Sequence, residues 1–75
     1  MKRYYSIKDL AIESGVSYHT VYHYIRKGLL SEVGVIGEDQ RLFDEECLDR
    51  LREILTLREA GKSISEIQEI LTERA

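Results

Sequence analysis

Seventy-five residues with 11 basic and 14 acidic side chains, a formal charge of −3, make one small domain rather than two. An apolar share of 43% and a charged share of 33% exclude a disordered chain, and no apolar run approaches the ~18 residues that span a bilayer. The single cysteine, Cys47, excludes an internal disulfide and a multi-cysteine zinc site.

The opening stretch MKRYYSIKDL has basic residues but no apolar core and no small-residue cleavage site, so no signal peptide is expected. A cytoplasmic protein with no membrane partner is the expectation. Charge is uneven along the chain. Residues 1–43 hold six basic side chains (Lys2, Arg3, Lys8, Arg26, Lys27, Arg41) against five acidic ones, and residues 44–75 hold five against nine. Net charge governs solubility and long-range steering, not what one face can bind.

Ser6 to Asp9, SIKD, reads as a capping box that opens a first helix. Ile7, Leu10 and Ala11 share one face of it, Ile12 falls off that face, and Gly15 ends it. A second helix starts with Ser17 as N-cap and stops at Gly28. Val21, Tyr24 and Ile25 form its inward stripe. His19, Tyr22, His23 and Arg26 fall on the other side, at i, i+3, i+4 and i+7. Only SGVS joins the two helices, which is the length and chemistry of a helix-turn-helix.

LLSEVGVIGEDQRLF follows, with β-prone pieces around a Gly/Asp turn, and predicts a small hairpin. A third helix begins after Asp44 as N-cap, carries the stripe Leu48, Leu51, Ile54 and Leu55 with the stem of Arg58, and ends at Gly61. The last helix opens with the capping box Ser63–Glu66 and is amphipathic through Ile64, Ile67, Ile70 and Leu71. The expected fold is therefore all-α, a winged helix-turn-helix of four helices with a small β-hairpin wing between helices 2 and 3, forming a single domain over residues 1–75. The expected core is Ile7, Leu10, Ala11, Val16, Val21, Tyr24, Leu29, Leu30, Phe43, Leu48, Leu51, Ile54, Leu55, Ile64, Ile67 and Leu71.

His19 and His23 stand at a metal-ligand spacing, but no third ligand lies near them in sequence, so they read as polar members of an exposed face. The second helix of a helix-turn-helix enters the major groove with its N-terminal residues at base edges. Here that turn offers Ser17, Tyr18, His19 and Thr20, and Tyr22, His23 and Arg26 continue down the same side. The ordinary alternative is a solvated face of a structural helix. Arg41, just after the hairpin tip, suits either a bidentate phosphate contact or an ion pair with Glu38, Asp39 or Asp44. Cys47 reads as a small buried hydrophobe. No phosphate loop, catalytic constellation, metal set or cofactor motif is present, so an enzyme is not expected.

These residues resemble the DNA-binding domain of the MerR family of transcription regulators. The family pattern has a first helix followed by G-V-S, then T-[IV]-R-Y-Y-E-x-x-G-L-L, a wing ending G-Y-R-x-Y, and a helix leading to G-[FY]-S-L-x-E-I. This chain reads SIKDLAIESGVS, TVYHYIRKGLL, DQRLF and GKSISEIQEIL at the matching places, with ten residues between Leu30 and Arg41. The resemblance runs from Tyr5 to Leu71. It departs where the family's recognition-helix Arg is Tyr22, its first Tyr is His23 and its Glu is Ile25. The wing has Gly34 and Val35 where basic residues are usual, and its tip, GEDQ, is acidic. The family's long dimerisation helix and effector domain have no counterpart in this sequence.

The resemblance implies sequence-preferring binding of double-stranded DNA in transcription regulation, with residues 17–27 in the major groove and the wing, residues 31–43, on the backbone. It implies base-edge reading by Tyr18, His19, Tyr22 and His23. Phosphates would be held by Ser17, Thr20, Arg26, Lys27 and Arg41, with Lys8 and Lys2 as outlying contacts. Self-association, or a further C-terminal dimerisation and effector region, completes the expected partners. Two other readings share the scaffold: a protein-interaction module, supported by the acidic balance, and an excisionase-like architectural factor.

Overall fold

The computed structural model describes residues 3–38 and 40–73. Its elements run α1 (Ile7–Ser14), α2 (Tyr18–Arg26), β1 (Gly34–Ile36), β2 (Gln40–Leu42), α3 (Glu45–Glu59) and α4 (Ile64–Glu73). This is the expected set of four helices with a hairpin between the second and third.

Side-chain caps set the helix starts. At α1 the Ser6 hydroxyl accepts from the Asp9 backbone N–H (3.1 Å) and the Asp9 carboxylate accepts from the Ser6 N–H (3.0 Å). Those bonds hold the Asp9 carboxyl below its ordinary range. Ser63 and Glu66 repeat the reciprocal pair at α4, at 3.1 and 3.0 Å, and the Glu66 carboxyl is lowered for the same reason. Asp44 caps α3 by accepting from the Cys47 N–H at 3.0 Å. Each such cap contributes about 1 kcal/mol.

Glycine sets the ends. Gly28 has φ +78°, its N–H donates to the Ile25 carbonyl (3.0 Å), and the Leu29 N–H donates to the Tyr24 carbonyl (3.0 Å). This paired arrangement closes the last turn of α2 and turns Leu29 and Leu30 into the core. Gly61 ends α3 in the same way, with Gly61 N–H to Arg58 and Lys62 N–H to Leu57, both at 3.0 Å.

The two strands pair antiparallel in the register Gly34↔Leu42, Val35↔Arg41 and Ile36↔Gln40, with Gly37 in the turn at φ +64°. The N-terminal segment adds to this sheet. Tyr5 and Phe43 exchange both backbone hydrogen bonds, each 2.8 Å, as an isolated antiparallel bridge. The base of the wing is thereby tied to the residue just before α1.

The core lies where α1 meets α2 and α3, and where α3 meets α4. Phe43, Leu10, Leu51, Ile54, Ile67 and Val21 are its largest fully enclosed side chains. Burying each stabilises the fold by about 1.5–3 kcal/mol before entropy is charged, so packing outweighs the individual caps. Two corrections to the expected core follow from the burial. Ile7, Val16, Leu55 and Ile64 are only half-buried and pack on its margin. Tyr5, left out of the expected list, belongs inside it, and Cys47 is buried there in line with its reading as a small hydrophobe. Tyr5 is drawn in because it precedes the Ser6 cap and shares the buried cluster with Leu10, four positions into the helix, which is the arrangement of a hydrophobic staple. Ile12 points away from the core and is 67% exposed.

Candidate nucleic-acid interface

The inward stripe of α2 is Val21 and Tyr24, both buried, with Ile25 half-buried beside them. Every other α2 residue except Thr20 is exposed, so Tyr18, His19, Tyr22, His23 and Arg26 stand together on one outward face, continued by Lys27. The structure thus assembles most of the expected site on a single helix.

That face is already ordered. The Tyr18 and Tyr22 rings stack with centroids 6.4 Å apart and planes 22° from parallel. The Arg26 guanidinium lies 6.0 Å from the centre of the Tyr22 ring. His19 meets Tyr18 edge-on at 6.1 Å, and His23 tilts against the buried Tyr24 at 5.8 Å. Ser17 and Thr20 are engaged with each other. The Ser17 hydroxyl accepts from the Thr20 N–H at 3.2 Å and shares a 2.9 Å hydrogen bond with the Thr20 hydroxyl. Whichever hydroxyl donates, one proton of the pair is left for an outside acceptor.

Electrostatics favour an anion at the start of this helix. The first turns of α1, α3 and α4 carry Asp9, Glu45 with Glu46, and Glu66, while the first turn of α2 has no acid. Its positive dipole end is therefore not neutralised from within. Among the described residues no carboxylate lies within ion-pair distance of Arg26, Lys27 or Arg41; the ion pairs found are Arg3–Glu13 (3.7 Å) and Arg52–Asp49 (3.8 Å).

The remaining expected residues are more dispersed. Arg41 lies on β2 opposite Val35 and is half-buried; it pairs with neither Glu38 nor Asp44. Asp39, the third candidate partner, and Lys2 lie outside the described residues. Lys8 is exposed on α1 next to Asp9, and no hydrogen bond or ion pair joins it to the α2 face. His19 and His23 stand one turn apart on the exposed face. Among the described residues no group of three or more His, Cys, Asp or Glu is placed to hold a metal ion.

Two features were not anticipated from sequence. Val33, Val35 and Ile36 of the wing are each more than half exposed, while Arg41 and Leu42 on β2 are half-buried. The Gln68 side-chain amide donates to the Lys27 carbonyl at 2.7 Å, fastening α4 to the C-terminal end of α2. Partners 41 residues apart leave no local sequence signal. The polar position of Gln68 on the otherwise apolar-faced α4 is the one hint.

No helix among the described residues is long and apolar enough to cross a membrane. Comparison with known proteins matches residues 5–74 to the model of the MerR helix-turn-helix regulatory family. The chain is 37% identical over 67 residues to the HTH-type transcriptional activator mta of Bacillus subtilis, covering 89% of this chain and 26% of that one. It is 40% identical over 57 residues to the HTH-type transcriptional regulator MerD of Acinetobacter calcoaceticus, covering 76% of this chain and 47% of that one. Among solved structures it superposes on HiNmlR, a MerR family regulator lacking the sensor domain and bound to promoter DNA. The TM-score there is 0.81 at 28% identity, with 91% of this chain and 52% of that chain covered. A MerR family transcriptional regulator from Bacillus cereus gives 0.86 at 25% identity, with 97% and 55% covered. The chain thus spans about half or less of the length of these relatives. On the match across residues 5–74 and the shared fold, it belongs to the MerR family of helix-turn-helix regulatory proteins.

Proposed function

We propose that residues 1–75 form a DNA-binding unit that recognises preferred sites in double-stranded DNA and acts in transcription regulation in the cytoplasm. The observation that carries this reading is the outward face of α2. It groups two tyrosines, two histidines, Arg26 and Lys27 on a helix with no acidic residue, at the position of the reading helix in a helix-turn-helix. The likeness to a promoter-bound MerR regulator supports it.

In this reading α2 lies in the major groove. Tyr18, His19, Tyr22 and His23 meet base edges, and Arg26, Lys27 and the outward proton of the Ser17–Thr20 pair meet phosphates. The half-buried Arg41 holds a phosphate beside the wing, where its restrained stem lowers the entropy lost on contact. Lys8 and Lys2 add outer charge. Gln68 holds the C-terminal end of α2 on the α3–α4 platform, so the face is presented in one orientation.

Fluorescence anisotropy of a labelled mixed-sequence duplex, titrated at low and moderate salt, tests the reading. Binding at low salt that weakens as salt rises is expected, because phosphate contacts release counterions. Arg26→Ala should weaken binding to all sequences alike, and His19→Ala should change the order of preference among duplexes.

The exposed apolar wing and the net charge of −3 favour a second reading, a protein-interaction module on the same scaffold. Absence of binding to duplex DNA at low salt would select it.

A further inference from the structure

The outward face of α2 consists of two columns spaced one turn apart. His19, His23 and Lys27 form one, and Tyr18, Tyr22 and Arg26 form the other. The second column is built before any ligand arrives: ring on ring at 6.4 Å, then guanidinium over ring at 6.0 Å. Mutual packing restrains three long side chains that would otherwise sample many rotamers. Even so, Tyr18 remains 49% and Tyr22 39% exposed. The column therefore offers water two restrained, largely apolar ring bodies, each with a hydroxyl at its tip.

A major groove presents donors and acceptors on every base pair but only one apolar group, the C5 methyl of thymine. We infer that the Tyr18–Tyr22–Arg26 column reads thymine methyl groups, so that this chain favours sites carrying thymine where the two rings meet the groove. The inference rests on the proposed entry of α2 into the major groove and names what that face selects. The rise from Tyr18 to Tyr22 is roughly 6 Å, about two steps of 3.4 Å along a DNA strand, so the thymines read lie within about two base pairs of each other. Arg26 carries its charge beside the second ring, with the guanidinium 6.0 Å from the ring centre, so in this reading the rings select the site and Arg26 adds phosphate contact.

The test uses a duplex recovered by selection from a random pool, with its thymines replaced one at a time by uracil, which removes only the methyl. Binding is read by anisotropy for the wild-type chain and for Tyr18→Ala and Tyr22→Ala. Both tyrosines are exposed on the helix surface, so these variants are expected to fold, and circular dichroism verifies it. The expected result is a loss of about fourfold for each contacted methyl in the wild type, the order set by burying one such group. The same uracil duplex should cost nothing further in the variant that lacks the ring. Uracil duplexes that bind the wild type as well as thymine duplexes overturn the methyl reading while leaving DNA binding intact. An equal uracil penalty in wild type and both variants overturns it as well, placing the effect in DNA shape. Failure to bind any duplex overturns both this inference and the DNA-binding function beneath it.

Discussion

Gly28 lies between α2 and the segment that enters the core, and its replacement by alanine perturbs only the local backbone. Its φ is +78°, a conformation that costs an L-residue with a Cβ about 1–2 kcal/mol. A Cβ built there meets nothing within 4 Å, so no collision adds to the cost. Alanine also stiffens the unfolded chain, which returns about 0.4–1 kcal/mol. The net loss is about 1 kcal/mol, or a melting temperature lower by roughly 4–8 °C for a domain of this size. Gly34 is the internal control, because it has open space around it as well but no positive φ. Gly34→Ala should leave stability unchanged or raised by about 0.5 kcal/mol, since a strand glycine loses more backbone freedom on folding than alanine does. Thermal and urea denaturation followed by circular dichroism give both values. A Gly28→Ala chain as stable as the wild type would refute the assigned strain. Equal destabilisation of both variants would show that the cost is steric.

Three further outcomes follow from particular contacts. Gln68→Ala removes the hydrogen bond to Lys27 and should lower stability by about 1 kcal/mol in urea unfolding, and more weakly if water replaces the amide. Arg41→Ala should weaken DNA binding similarly across sequences and flatten the slope of log K against log salt by about one unit; an unchanged slope assigns Arg41 to the wing's own packing. Burial, aided by Asp44, pushes the Cys47 thiol up to about 11. Thiolate is therefore scarce at neutral pH, and a thiol-specific reagent should label the folded chain far more slowly than the urea-unfolded one. Equal labelling rates would place Cys47 outside the core.

Much of this fold is legible in short-range chemistry. Ser6 with Asp9, Asp44, and Ser63 with Glu66 mark three helix starts because a cap is a contact over three residues, and Gly15, Gly28 and Gly61 mark ends because only glycine takes positive φ freely. Period 3.6 separates the buried Val21 and Tyr24 from the outward His19, Tyr22 and Arg26. What escapes such reading is long-range or depends on what an element packs against. The Tyr5–Phe43 bridge joins segments far apart in sequence, although the apolar residue before the Ser6 cap is a signal for the burial of Tyr5. Ile7 looks like a core residue by period and Val16 by its place as the apolar residue of the turn, yet both lie at the core's margin. The exposure of Val35 and Ile36 on β1 beside the half-buried Arg41 and Leu42 on β2 depends on what the hairpin packs against, which no alternation pattern records. At the site, the spacing of Tyr18, Tyr22 and Arg26 is visible in the sequence, but their stacking, and the locking of Ser17 to Thr20, emerge only in three dimensions.

Selection of bound sequences from a random duplex pool tests whether α2 recognises particular DNA sites. Convergence on a preferred site is expected, with the preference altered by Tyr22→Ala and retained, at lower affinity, by Arg26→Ala. A pool that remains random after repeated selection at low salt would contradict it.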